Sequence, residues 1–227
     1  MQLKSTREAV VNGIKVLVYG PAGAGKTSLC ATTGGNPLII SAEAGLLSLR
    51  QHDIPYIEVS DIASLEEAYQ FVSESQEAAQ FDWICLDSIS EVAEVVLSNE
   101  KKLTKDPRQA YGALQEHMGD VIRKFRDLNG KNVYFSCKQE RIKDELTGAM
   151  LYGPSLPGNK LAQGVPYFFD EVFSLRVQPD QEGVPHRWLQ TSSDAAYSCK
   201  DRSGALDMFE APTLANIAAK IYPTSNH

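Results

Sequence analysis

The chain alternates short apolar runs with longer stretches in which apolar residues return every three or four positions. The runs "IKVLVY" (14–19), "PLIIS" (37–41), "WICLD" (83–87) and "NVYFSC" (132–137) have strand length and little internal alternation, the pattern of strands buried on both faces. "EVFSLRVQ" (171–178) and "RWLQTS" (187–192) continue the series. Between them, "SLEEAYQFVSESQEAA" (64–79) predicts a helix, opened by Ser64 and Glu67 at capping-box spacing. "EVAEVVLSNEKKL" (91–103) and "AYGALQEHMGDVIRKFRDLNG" (110–130) predict two more, the second closed by Gly130 at its C-terminal cap. "TLANIAAKIY" (213–222) predicts a closing helix. The Gly- and Pro-punctuated stretch 139–166 reads as loop, with a small hairpin around Thr147-Gly148. Strands alternating with helices predict an α/β fold, a mostly parallel central sheet flanked by helices, with the late strands antiparallel.

Length and composition narrow this only slightly. At 227 residues the expectation is one domain, with a core over about 14–205, a short N-terminal segment 1–13 and a C-terminal helix near 212–222. Hydrophobic and charged fractions of 43% and 22% are ordinary for a soluble protein. No apolar run has bilayer-spanning length, and "MQLKSTREAV" lacks the apolar centre of a signal peptide. Cys30, Cys85, Cys137 and Cys199 are far apart with no C-x-x-C pair, so reduced thiols and a cytoplasmic location are expected. The four histidines offer no metal-ligand spacing. A net charge of −7 argues against coating nucleic acid through bulk electrostatics, while leaving room for a local basic groove.

The chemistry enters at "YGPAGAGKTSLC", directly behind the first apolar run. Gly20-x-x-x-x-Gly25-Lys26-Thr27 matches the P-loop (Walker A) pattern in the context that pattern requires, strand before and helix after. Glycines let the backbone of Gly20, Pro21, Ala22, Gly23, Ala24 and Gly25 curl so that successive N–H groups face phosphate oxygens. The N-terminus of the following helix, Lys26-Thr27-Ser28, adds its positive end to that field. Lys26 is then expected on the β- and γ-phosphates of ATP, and the Thr27 hydroxyl on Mg²⁺. Asp87, ending "WICLD", is the expected second magnesium-side acid. Glu43, just past "PLIIS", is either a water-activating base at the γ-phosphate or a solvated loop glutamate, and the strand order decides between these.

Taken together, "GPAGAGKTSLC", a strand ending "SAEAG", and "WICLDSI" followed by a helix resemble the RecA-like ATPase core, across roughly 14–205. The resemblance implies a catalytic role for Glu43 and a γ-phosphate sensor at Lys138 or Gln139 in "YFSCKQE", with the register open by one residue. It implies two DNA-binding loops, matching about 98–110 and about 139–164. In the first lie Lys101, Lys102, Lys105 and Arg108; in the second lie Arg141, Lys143 and Lys160, with Tyr152 as a stacking surface, offset by Glu140, Asp144 and Glu145. It also implies that Lys200 and Arg202 of "YSCKDRSG" cross a subunit interface to a neighbour's ATP. Neither the large N-terminal polymerisation helix nor the C-terminal domain of bacterial RecA is expected on this reading. The chain looks more like the compact single-domain RecA-like ATPases of bacteriophages, some of which are single-strand annealing proteins.

This resemblance implies a Mg²⁺-dependent ATPase that binds single-stranded DNA and promotes annealing or strand exchange. It would act as a ring or filament with ATP between protomers, in the cytoplasm of a bacterial host, with a single-strand DNA-binding protein as a further partner and no membrane. Two alternatives share the P-loop. One is a helicase-loading or regulatory ATPase acting on a protein partner, which the acidic balance favours. The other is a nucleotide kinase, for which the chain shows no arginine-rich lid.

Overall fold

In the computed structural model, which describes residues 13–43, 45–143 and 148–222, the apolar runs become strands of one ten-stranded sheet. In chain order the elements are β1 (Lys15–Gly20), β2 (Pro37–Ser41), β3 (Tyr56–Glu58), α1 (Ile62–Glu74), β4 (Trp83–Asp87), α2 (Ile89–Leu103) and α3 (Pro107–Arg126). They continue with β5 (Asn132–Lys143), β6 (Met150–Ser155), α4 (Asn159–Gly164), β7 (Glu171–Pro179), β8 (Pro185–Gln190), β9 (Lys200–Asp201), β10 (Phe209–Glu210) and α5 (Leu214–Ile221). The sheet runs β10-β8-β7-β1-β5-β4-β2-β3, with β6 added to β5 and β9 to β7. β7, β1, β5, β4, β2 and β3 pair in parallel, while β6, β8, β9 and β10 join antiparallel. This is the expected α/β P-loop architecture, with the antiparallel strands late in the chain.

Alternation along each buried strand divides the core between the two faces. Leu17, Tyr19, Ile40, Leu86 and Phe135 pack on the side covered by α1, α2 and α3. Val16, Val18, Ile39, Trp83 and Tyr134 pack on the side covered by α5 and the short helix after β1. Every residue of β1, β2 and β4 is buried, which is why these runs show no polar face. Even Lys15 is enclosed. Its ammonium donates to the carbonyls of Lys131 (2.6 Å) and Leu128 (3.3 Å) just beyond α3, and burial lowers its pKa to about 8.

Several boundaries differ from expectation, each for a local reason. α1 starts earlier than expected: Asp61 caps it, accepting from the Ser64 amide at 2.8 Å, and Ser64 Oγ accepts in return from the Asp61 amide. The capping box is therefore Asp61 with Ser64, and Glu67 takes no part. The segment expected to be a loop at 98–110 is mostly helix. Lys101 and Lys102 end α2, and Asp106 caps α3 with Pro107 in its first turn, so only 104–106 connect the two. α3 ends at Arg126, ahead of Gly130. The stretch 139–166 is also more ordered than a loop. β5 continues through Lys143 and pairs with β6 from Lys138↔Ser155 to Lys143↔Met150, and α4 follows. The tip of that hairpin, with Asp144, Glu145 and Thr147, and the N-terminal residues 1–12 lie outside the described residues. The helix after β1 is a 3-10 helix, Thr27–Thr32, stopped by "TTGG", whose β-branched and glycine residues disfavour continuation. Among the described residues no helix is long and apolar enough to cross a membrane.

Candidate functional site

The parallel strands β1, β4 and β2 end level with one another beside Lys138 and Gln139 of the longer β5, and at that edge they and the segments that follow line a cavity of about 880 Å³. Crevices at strand C-termini are where open α/β sheets bind ligands. β1 delivers the glycine loop to this edge. Gly20 sits close against β7, where a Cβ would lie 3.0 Å from the Leu175 carbonyl oxygen, tight enough that β7 would have to give. Gly25 adopts φ +103°, a conformation a side chain rarely tolerates. The loop is closed by the Ala24 amide donating to Pro21 O at 3.3 Å, and by the Tyr134 hydroxyl donating to Lys26 O at 2.8 Å.

Lys26 folds back over its own loop, donating to Gly20 O and Pro21 O at 3.0 Å each. Burial lowers its pKa, a pull that the Glu43 and Asp87 carboxylates oppose. Asp87, 3% exposed at the end of β4, accepts from Thr27 Oγ1 at 2.6 Å through one oxygen and from Ser136 Oγ through the other. A hydroxyl and a carboxylate converging beside a phosphate loop are hard oxygen donors, the set that suits Mg²⁺.

Strand order sets where Glu43 stands. β2 lies directly beside β4, with Ser41 paired to Asp87, so Glu43 emerges next to the acid and lines the cavity. Ser88, buried at the start of α2, donates its hydroxyl to Glu43 Oε1 at 2.5 Å. Glu43 is therefore a held carboxylate facing the cleft rather than a solvated loop residue. Lys138 and Gln139 both line the cavity from β5, but differently. Lys138 is ion-paired with Glu91, and that hydrogen bond raises its pKa. Gln139 presents a buried side-chain oxygen with no partner among the described residues.

The remaining predicted residues lie elsewhere. Lys200 and Arg202 are on and just after β9, which pairs with the N-terminal end of β7, away from the glycine loop. Lys200 donates to Pro166 O at 2.8 Å, and Arg202 pairs with Asp170 at 2.6 Å. Arg108 and Lys160, distant in sequence, come together with Tyr111, Gln115 and Asn159 around a second cavity of about 310 Å³, and Lys101 lies over the Tyr111 ring at 5.6 Å. Lys102 and Lys105 are exposed beside this group, and Lys143 lies exposed at the end of β5. Tyr152 does not offer the free stacking face expected of it. Its ring stacks on Tyr197 at 4.9 Å, Arg141 lies over it at 5.6 Å, and Arg176 covers Tyr197 at 3.7 Å.

Three contributors were not anticipated. Ser88 and Ser136 each hold a site carboxylate; a polar residue inside the apolar run "NVYFSC" was the available signal for Ser136. Arg187 reaches the glycine loop from β8, its Nε donating to Ala24 O at 3.0 Å, and nothing in "RWLQTS" marks it. A family model described as an AAA domain matches residues 12–203. No curated protein matches the chain.

Proposed function

The chain belongs to the AAA domain family of P-loop ATPases, and from that premise we propose a RecA-like protein of phage type that hydrolyses ATP with Mg²⁺ and binds single-stranded DNA to promote annealing or strand exchange. The observation that carries the ATPase reading is the convergence of Lys26, Thr27, Asp87 and Glu43 on one cavity. In this reading the amides of 23–28 and the Lys26 ammonium hold the β- and γ-phosphates, Lys26 leaving the carbonyls of Gly20 and Pro21 to do so. Thr27 and Asp87 hold Mg²⁺, which when bound neutralises charge on the phosphates. Glu43, oriented by Ser88, accepts the proton of the attacking water. Gln139, which lines the cavity and can donate through its side-chain nitrogen, is the better sensor candidate, since Lys138 is already paired with Glu91.

Lys200 and Arg202 fit action on a neighbouring protomer. β7 pairs Val172 with both Leu17 and Lys200, three residues short of Gly20, so these cations lie on the order of 10 Å below their own glycine loop. The Arg202–Asp170 pair is exposed, and such pairs are weak enough to exchange for a phosphate. ATPase activity per protomer should therefore climb with protein concentration and with added single-stranded DNA. A flat response to both removes the interface mechanism.

The DNA reading is supported by the meeting of Arg108, Tyr111 and Lys160 around one groove, which combines phosphate-neutralising cations with an aromatic surface 41% exposed. Mobility shifts across a salt series, with and without ATP, test it; binding should need nucleotide and weaken steeply with salt. The second reading, a loading or regulatory ATPase acting on a protein partner, is favoured by the net charge of −7 and by the covered faces of Tyr152. Salt-insensitive or undetectable DNA binding would favour it.

A further inference from the structure

The hairpin of β7 and β8 rises past the edge on which the glycine loop sits. Leu175 lies level with Gly20, and the next rung facing the same side, Val177 paired with Arg187, stands two residues or ~7 Å higher. From there Arg187 turns back over the loop to the Ala24 carbonyl and lines the cavity. No carboxylate lies within ion-pair distance of it among the described residues, so its partner is a neutral oxygen, readily exchanged for a ligand.

The side from which Arg187 arrives defines what it can touch. Every group assigned to the triphosphate belongs to β1 or to strands on one side of it: Gln139 follows from β5, Asp87 from β4 and Glu43 from β2. β7 and β8 lie on the other side. A nucleotide whose phosphates fill the glycine loop, with its terminal phosphate toward Glu43, must run its ribose and base toward β7 and β8. We propose that Arg187 is the base-side contact of this site, its guanidinium plane stacking on the purine ring. This rests on the P-loop reading above. Guanidinium is planar, weakly hydrated and stacks well on aromatic faces, whereas an ammonium does not offer a flat face.

Titration calorimetry of the full chain with Mg-ATP, Mg-ADP and inorganic tripolyphosphate tests this. Arg187→Ala should weaken ATP and ADP by the same factor, about 5- to 30-fold, the range of a stacked cation. Tripolyphosphate, which has no base, should bind variant and wild type alike. Arg187→Tyr, which keeps a flat surface, should recover most of the ATP affinity, and Arg187→Lys, which keeps the charge, should not. The inference is overturned if Arg187→Ala binds ATP as wild type does, if tripolyphosphate weakens as much as ATP, or if Lys rescues better than Tyr. Because rescue is read on ATP alone, the decision stands even where tripolyphosphate binds too weakly to measure. Failure of the P-loop reading looks different: wild type itself would then take up no nucleotide.

Discussion

Ser88 offers the sharpest separation of structure from catalysis in this site. Its hydroxyl, 1% exposed, donates to Glu43 Oε1 at 2.5 Å and accepts from the Glu91 amide at 3.4 Å as the cap of α2. The first bond is short and charge-assisted, worth about 1.5–3 kcal/mol. The second is long, so its capping contribution belongs near the low end of the usual range, about 0.5 kcal/mol. Ser88→Ala should therefore lower folding stability by only about 1 kcal/mol, because Glu43 can rotate into the cleft and recover water. The larger effect falls on kcat, since ~2 kcal/mol of lost orientation is about 30-fold in rate. ATP affinity should stay within about twofold, as Ser88 makes no hydrogen bond to the glycine loop. A coupled ATPase assay, urea denaturation and calorimetry report the three quantities. Glu43→Gln should lose about 10²- to 10⁴-fold in kcat, and adding Ser88→Ala to it should cost little more. Two losses that multiply independently, or an unchanged kcat in Ser88→Ala, would refute the claim that the serine acts through the glutamate.

Further outcomes follow from other buried groups. Lys26→Ala should weaken ATP binding by at least ~30-fold in calorimetry, since it removes a charged phosphate contact, and a variant matching wild type would sink the phosphate-loop assignment. Glu171, 1% exposed beside Asp201, has its pKa raised from 4.5 to about 8, chiefly by burial. Because the folded state favours the protonated acid, its stabilising effect is complete below pH 4.5 and is lost as pH rises to about 8. Glu171→Gln should thus gain on wild type by at most about 4 kcal/mol between pH 4.5 and 8.5 in denaturant titrations, and parallel stability curves would contradict this. Tyr19→Phe removes the hydroxyl that reaches Tyr152 O and Ser198 O at 3.0 Å each. It should cost about 1–2 kcal/mol of stability with nucleotide affinity unchanged, and an undiminished melting midpoint would argue against the bond.

What lay open to reading in the chain was whatever depends on neighbours in sequence. "IKVLVY" followed by "GPAGAGKT" carries strand, turn and phosphate loop within a dozen residues, because amide direction and glycine conformation are local properties. Asp87 was legible for the same reason, as an acid ending an apolar run. Helix boundaries were less so. Asp61, Ser88 and Asp106 each compete with nearby residues as caps, and the winner depends on which apolar face must dock. The hairpin near Thr147-Gly148 was legible from its turn residues, but the length of its arms, with β5 running on to Lys143, was not, because β6 supplies the pairing rather than a pattern within β5.

By itself, then, the order of residues determined an α/β chain with a P-loop and an acid closing a buried strand, since those rest on contacts a few positions apart. Only the tertiary structure decided that Glu43 stands beside Asp87, that Arg108 and Lys160 share a groove, and that Arg187 overhangs the loop. Each of these is set by which strand or helix lies next to which, and such adjacency comes from burying the two faces of the sheet, a property of the whole chain and not of any segment.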